Sequence, residues 1–148
     1  MDDRSRTYLI HCVMKIMDLL VSLQKAQGMG LIMITHDLAV VAEVAHRVAV
    51  MYAGQVVEQS AVQDAFNHPR HPYTHALLQA VPERSRGAKR LSTLQGIVPG
   101  QYDRPKGCLL APRCPQVQVQ CSAIPPDLKT IDNSQVRCYF PISKELVV

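Results

Sequence analysis

Four of the five cysteines lie in the last third of the chain, and no other residues of this sequence are better suited to chemistry. They are Cys108, Cys114, Cys121 and Cys138, separated by five, six and sixteen residues. Small loop-rich segments of this kind are usually held together by disulfides or by a metal. Because disulfides are disfavoured in a reducing compartment, four thiolates there favour a bound metal ion or cluster.

The spacing of these cysteines does not choose between metals. Structural zinc sites usually pair cysteines two to four residues apart, and this sequence lacks such pairs. Iron-sulfur cubanes accept varied spacings and often have a proline after a ligand, as at Cys114-Pro115. Zinc and an iron-sulfur cluster therefore both remain open on spacing alone.

A second candidate for chemistry is His36, which follows the apolar run Leu31–Ile34. The run begins after Gly30 and predicts a short strand buried on both faces. Asp37 can accept hydrogen bonds from the first free amides of a helix from about Leu38 to Ala45. His36 would then lie at the carboxyl end of a strand, where open parallel sheets bind their ligands.

Several elements surround these candidates. Apolar residues recur at steps of three and four from Leu9 to Leu23, which predicts a helix over Tyr8–Gln27. Arg47–Tyr52 reads as a strand, and a two-residue turn returns the chain as a hairpin over Gln55–Glu58. Ser60 is the predicted cap of a short helix that ends at about Asn67.

Three histidines lie close together around two prolines, at His68, His71 and His75. A metal site is one interpretation, but the prolines separate the first two histidines and capping or packing is favoured. Pro72 is placed to open a helix over about Tyr73–Ala80.

Composition limits the classes of function. The chain has 148 residues, of which 47% are hydrophobic and 19% charged, as expected of a globular protein. Its net charge of +4 is spread out, and no aromatic residues interleave with the basic ones, so we expect no nucleic-acid partner. The first residues, MDDRSR, do not resemble a signal peptide, and no run approaches a bilayer span. We expect a cytoplasmic protein without direct membrane insertion.

Two stretches together resemble one family. The stretch ITHDLAVVAEVAHRVAVMYAGQVVE resembles the end of the nucleotide-binding domain of ABC transporters, specifically of peptide importers. HPYTHALLQAVP resembles the start of the extension found in oligopeptide and dipeptide importer ATPases. The resemblance implies that His36 is the switch histidine that senses the terminal phosphate of ATP. It also implies as partners a second ATPase subunit and membrane permease subunits, which would hold the protein at the inner face of the cell membrane.

The segment VPGQYDRPKGCLLAPRCP resembles the dipeptide branch of these importers, in which four such cysteines carry a [4Fe-4S] cluster. The resemblance thus implies cluster ligation by Cys108, Cys114, Cys121 and Cys138, with zinc as the alternative.

The sequence lacks other parts that an ATPase needs. There is no G-x-x-x-x-G-K-[ST] loop, no LSGGQ-like signature and no acidic strand end of the Walker B kind. We therefore expect ATP and Mg²⁺ to belong to an intact parent subunit, and the chain alone to be inactive.

The predicted fold class is α/β, with a partial P-loop-NTPase-like parallel sheet, helices, a β-hairpin and a small loop-rich cysteine module. Residues 1–59 are expected to be the carboxy-terminal part of an ABC nucleotide-binding domain. Residues 60–90 form the helical HPYT segment with a charged linker at Glu83–Arg90, and residues 91–148 form the four-cysteine module. The alternatives are an independent iron-sulfur or zinc regulatory or interaction module, and a gene fragment without function.

Overall fold

The computed structural model describes residues 3–81 and 94–143, with side chains from residue 13 onward. The elements in order are α1 Asp3–Gln27, α2 Leu38–Val44, β1 Arg47–Tyr52, β2 Gln55–Ala61, α3 Val62–Asn67, α4 Pro72–Gln79, a 3-10 turn Ala111–Arg113, α5 Val119–Ala123, β3 Lys129–Ile131 and β4 Ser134–Val136. The chain divides into two compact units, one up to Val44 and one from Ala45 onward. No helix in the described ranges is both long enough and apolar enough to cross a bilayer.

Helix α1 of the first unit ends at Gln27, as predicted. Gly28 has a φ of +62°, a left-handed conformation that favours glycine, and the Met29 amide donates to the Gln24 carbonyl at 3.2 Å. The predicted apolar stripe of this helix is not buried, as the 58% exposure of Ile16 shows.

The predicted strand at Leu31–Ile34 is wrong. The structure has no strand there, and the side chains of Ile32 and Ile34 are 91% and 97% exposed. A strand buried on both faces needs hydrogen-bonded neighbours, and none of the residues described in 3–81 and 94–143 pairs with this run.

The second unit contains one four-stranded sheet in the order β1-β2-β4-β3. Each neighbouring pair is antiparallel, so the parallel sheet expected from the sequence is not what the described residues form. The hairpin of β1 and β2 is confirmed, and its turn residues Ala53 and Gly54 both have positive φ, as in a type I′ turn. The predicted α/β class is confirmed in its coarse form, a small sheet with helices.

Strand β2 is longer than predicted, and this moves the start of α3. Ser60 pairs with Val48 in the sheet, and its hydroxyl donates to the Ala61 carbonyl at 3.0 Å. The predicted capping role of Ser60 is therefore wrong, and α3 starts at Val62 without a side-chain cap. Helix α4 does begin at Pro72, as predicted.

The core of the second unit joins the hairpin to the cysteine segment. Tyr52 and Val57 are buried together with Leu109 and Leu110, which lie between the first two cysteines. Strand β2 also pairs with β4, which comes directly before the last cysteine. The predicted division into three domains stays a prediction, and the linker at Glu83–Arg90 lies outside the described residues.

Candidate metal centre

All four cysteines predicted as ligands line one pocket. None of the four forms a disulfide. The pocket is small and opens to solvent on one side. Its other walls include His71, Leu110, Pro126 and Phe140. The structure thus brings together the thiols that are most distant in sequence, Cys108 and Cys138, around a common space.

The first and third cysteines are joined through their backbones. The Cys108 amide donates to the Cys121 carbonyl at 2.7 Å. A Cβ atom at Gly107 would lie 2.2 Å from the same carbonyl oxygen, far inside contact distance. Only glycine therefore allows these two segments to approach each other here.

The second cysteine follows the 3-10 turn and is held by its neighbour Arg113. The Arg113 guanidinium donates to the Gln95 carbonyl at 3.0 Å, to the Leu94 carbonyl at 2.8 Å and to the Tyr52 hydroxyl at 3.2 Å. These contacts fasten the turn before Cys114 to the segment of Leu94 and Gln95 and, through Tyr52, to the hairpin.

The fourth cysteine is held through the residue before it. The Arg137 amide donates to the Val57 carbonyl at 2.8 Å, and its guanidinium donates to the carbonyls of Val56 at 3.0 Å and Pro126 at 3.2 Å. The segment leading to Cys138 is therefore fixed against β2.

The electrostatics of the pocket favour neutral thiols until a cation binds. Burial raises the pKa of the Cys108 and Cys114 thiols and raises that of Cys138 to about 11. Repulsion between the thiolates adds to each rise, whereas backbone amides such as that of Phe140 oppose it. A bound metal supplies the positive charge that deprotonates such thiols, and amides that face sulfur then support the thiolates.

His71 forms a fully buried part of the pocket wall, being 1% exposed. Its Nδ1 accepts a hydrogen bond from the Tyr73 amide at 3.1 Å, which caps α4. Burial lowers the pKa of His71 to about 4, and a hydrogen bond with the backbone of Arg137 acts in the opposite direction. The capping role predicted for this histidine is confirmed.

Sequence reasoning missed Glu58, which is fully buried. One carboxylate oxygen accepts from the Arg70 amide at 2.8 Å and the other from the His71 amide at 2.9 Å. The Arg70 side chain continues the network to Asp132 and to the Ile142 carbonyl. The available signal was a carboxylate that follows two valines inside the predicted strand, because a carboxylate that is buried there needs hydrogen-bond donors.

The second candidate, His36, lies in the first unit, at a bend just before α2, and is exposed. Asp37 caps this helix as predicted, because its Oδ1 accepts from the amides of Ala39 at 2.9 Å and Val40 at 3.3 Å. The switch role of His36 stays a prediction.

The metal itself is not confirmed by the geometry. Within the described ranges, no three or more His, Cys, Asp or Glu side chains are arranged to hold one metal ion. The three histidines around the prolines, which lie within these ranges, are not arranged to hold a metal ion either. The four cysteines share a pocket without being gathered around a single point.

Comparison with known proteins supports the resemblance seen in the sequence. Residues 57–121 match the family described as "Oligopeptide/dipeptide transporter, C-terminal region", which includes the HPYT segment and three of the four pocket cysteines. The chain is thus similar to this region and to peptide-importer ATP-binding proteins, so the resemblance seen in the sequence is confirmed.

Individual proteins named as peptide-transport ATP-binding proteins are similar to most of the chain. The chain is 53% identical over 131 residues to the dipeptide transport ATP-binding protein DppD of Haemophilus influenzae, covering 88% of this chain and 40% of that protein. It is 52% identical to DppD of Escherichia coli over 86% of this chain and 39% of the relative. A putative peptide import ATP-binding protein of Brucella abortus is 46% identical, over 85% of this chain and 37% of that protein. The chain thus spans about 40% of the length of the relatives it matches.

Proposed function

We propose that this chain corresponds to the carboxy-terminal part of the ATP-hydrolysing subunit of an ABC-type dipeptide or oligopeptide importer. The observation that carries the proposal is the 53% identity to a dipeptide transport ATP-binding protein over 88% of the chain. Within an intact subunit His36 acts as the switch histidine at the terminal phosphate of ATP. The partners are a second ATPase subunit and the membrane permease, which keep the protein on the cytoplasmic face of the membrane.

The four-cysteine pocket is proposed to hold a [4Fe-4S] cluster through Cys108, Cys114, Cys121 and Cys138. Tetrahedral zinc needs sulfurs about 3.8 Å apart, from its usual Zn–S distance, and the described side chains show no such single-ion arrangement. A cubane carries its thiolates farther apart, at its corners, which suits cysteines spread around the wall of one pocket. The cluster, when bound, supplies a redox-active centre that also cross-links the loops carrying its ligands.

The protein residues have separate tasks at this site. Gly107 allows the segments of Cys108 and Cys121 to touch, and Arg137 fixes the segment of Cys138 against β2. Backbone amides near Cys108, Cys114 and Cys138 face the sulfurs and stabilise their charge. These contacts support the proposed thiolate ligation.

Anaerobic purification tests the cofactor. The 148-residue chain is expected to carry iron and inorganic sulfide in equal amounts, with a broad absorbance shoulder in the visible range. A colourless protein that contains zinc would show that the alternative cofactor, zinc, is bound in place of the cubane. A chain that binds neither iron nor zinc after reconstitution would refute the site.

Nucleotide titration tests the dependence on an intact subunit. Isothermal calorimetry of this chain with MgATP is expected to give no measurable binding, because the phosphate loop is missing from the sequence. A purified intact relative serves as the positive control. Tight binding by the 148-residue chain would contradict the proposal.

A second candidate is an independent iron-sulfur or zinc module that acts in regulation or interaction. The shared core of the hairpin and the cysteine segment favours it, because the second unit buries its own apolar residues. Affinity capture from membranes discriminates the two. Recovery of permease and ATPase subunits supports the importer, whereas a cluster-bearing monomer without them supports the module.

A further inference from the structure

Cys108 and Cys121 are joined by a direct backbone contact that also limits the distance between them. The Cys108 amide donates to the Cys121 carbonyl at 2.7 Å. Standard bond lengths place a Cα atom about 2.4 Å from its own carbonyl oxygen and about 1.5 Å from its own nitrogen, so the two Cα atoms lie at most about 6.6 Å apart. Disulfides join cysteines whose Cα atoms are about 4.4–6.8 Å apart.

The side chains of these two cysteines also face a common space. Both line the pocket, and both are free thiols. Their side chains therefore do not point away from each other, which is the second geometric condition for a disulfide. The pair meets both conditions without a rearrangement of the backbone.

The other two pocket thiols are not linked to this pair by such a bond in the part of the chain that the structure describes. Cys114 follows the 3-10 turn, and the backbone of Ala111 in that turn lies between it and Cys108: the Ala111 amide donates to the Cys108 carbonyl at 3.0 Å, and its carbonyl accepts from the Cys114 amide at 3.4 Å. Cys138 follows Arg137, whose amide donates to the Val57 carbonyl of β2 at 2.8 Å. The geometry therefore favours one pairing among the four thiols.

We propose that Cys108 and Cys121 form a redox-sensitive pair, which closes to a disulfide when the site holds no metal and a small-molecule disulfide such as oxidised glutathione is present. The pairing itself depends only on the contacts described above. Its consequence rests on the proposed function, because the disulfide removes two of the four proposed cluster ligands. The pair then decides whether the pocket is open to iron and sulfide.

The reaction takes place in two exchange steps. Cys108 is half-buried whereas Cys121 is 7% exposed, so the Cys108 thiolate attacks the small disulfide first. The attacked S–S bond breaks, one glutathione leaves as a thiolate, and a mixed disulfide remains on Cys108. The Cys121 thiolate then attacks the Cys108 sulfur and releases the second glutathione. The two cysteines lose two electrons and two protons in total, which convert the small disulfide into two thiols.

Disulfide mapping of the metal-free 148-residue chain tests the pairing. The chain carries Cys12→Ser, is freed of metal under reducing conditions, exchanged into oxidised glutathione at mildly alkaline pH, quenched with N-ethylmaleimide and digested with trypsin. Cleavage after Lys106 and Arg113 isolates Cys108 on its own peptide, and tandem mass spectrometry identifies its partner on the next peptide. We expect a link to Cys121, with the other two pocket thiols alkylated. A link from Cys108 mainly to another cysteine, or four alkylated thiols, would overturn the proposal.

Two variants and an unfolded sample serve as controls. Cys121→Ser should leave glutathione attached to Cys108, because the second thiol is missing, whereas Cys138→Ser should form the same disulfide as the parent chain. In concentrated urea, cysteines that are closer in sequence should gain a larger share of the links, since shorter loops close at a lower entropy cost. The same distribution of links in the folded and the unfolded chain would show that the fold does not select the pair, and would overturn the proposal.

A comparison of loaded and metal-free protein tests the competition with the cofactor. After anaerobic reconstitution, the loaded chain should form the Cys108–Cys121 link at least about 10-fold more slowly than the metal-free chain, because ligated thiolates are not available for exchange. Equal rates would show that the disulfide and the cofactor do not compete. If the reduced chain takes up no iron, the proposed cofactor fails while the disulfide map still decides the pairing.

Discussion

The amide of Cys108 donates to the carbonyl of Cys121 at 2.7 Å, which brings the loop of Cys108 into backbone contact with α5. Gly107 makes this contact possible, because any side chain there meets the Cys121 carbonyl. We expect Gly107→Ala to force the loops apart, to destabilise the chain by about 1–3 kcal/mol and to abolish cluster uptake. Iron and sulfide content and urea unfolding measure both effects.

Gly30→Ala is the matched control for this substitution. A Cβ atom at Gly30 meets nothing within 4 Å, and its φ is not in the left-handed region. Cluster uptake equal to wild type in both variants would contradict the tight approach at Gly107.

Removing any one of the four pocket cysteines is expected to prevent assembly of the intact cluster. Cys108→Ser, Cys114→Ser, Cys121→Ser and Cys138→Ser each remove a proposed ligand, because the hydroxyl is a poor substitute for a thiolate. Cys12→Ser controls for the loss of a thiol elsewhere. Undiminished [4Fe-4S] content in one pocket variant, measured by absorbance and Mössbauer spectroscopy, would remove that cysteine from the ligand set.

Glu58→Gln is expected to lower the free energy of unfolding by about 1.5–3 kcal/mol. The carboxylate accepts two backbone hydrogen bonds in a buried site, and an amide side chain leaves a donor facing a donor. Urea denaturation followed by far-ultraviolet circular dichroism measures the change. Glu43→Gln on the exposed side of α2 should stay near wild type, so equal losses would indicate a general charge effect.

The stability of the metal-free chain is expected to fall as the pH falls from 6.5 towards 4. The folded-state pKa of His71 is about 4 whereas its ordinary value is 6.5, so the unfolded chain binds the extra proton in this window. The contribution is present in full above pH 6.5, is lost towards pH 4 and amounts to about 3 kcal/mol at most. His71 shares the pocket wall with the four thiols, and the Glu58 carboxylate accepts from its amide.

His71→Gln should flatten this pH dependence, because glutamine does not titrate. Unfolding free energies of wild type and variant at intervals from pH 7 to pH 4 give the comparison. Parallel curves would show that another group carries the acid sensitivity.

The exposed run Leu31–Ile34 is expected to make the chain self-associate. Ile32 and Ile34 are 91% and 97% exposed, and extended apolar segments without strand partners promote association. Replacing both by lysine should shift sedimentation velocity profiles towards the monomer without changing the melting of the second unit. A wild type that stays monomeric at high concentration would contradict this expectation.

Local rules predicted the elements whose causes are close in sequence. Asp37 caps the amides two and three residues on, Ala53-Gly54 makes the hairpin turn, and Pro72 opens a helix by its fixed φ. That Cys108 and Cys138 would share one site was predicted from the family resemblance. The spacing of the cysteines alone did not decide which cofactor they would bind.

Distant partners explain what sequence reasoning missed. Ser60 looked like a helix cap, but β2 continues through it and pairs on its other edge with β4, which no local pattern announces. Glu58 accepts hydrogen bonds from the amides of Arg70 and His71, which follow α3 in the sequence. Burial of Leu31–Ile34 was expected from the apolar run itself, yet burial depends on neighbours that the run does not specify.

Strand β4 pairs with β2, although most of the sequence of the second unit separates the two strands. It is followed by the short segment that ends at Cys138. During synthesis the ribosome releases the hairpin long before it releases β4, so the last thiol reaches the pocket only when translation of this region is nearly over. Under the proposed ligation, a polypeptide terminated before β4 would therefore lack both the fourth thiol and the strand that positions it.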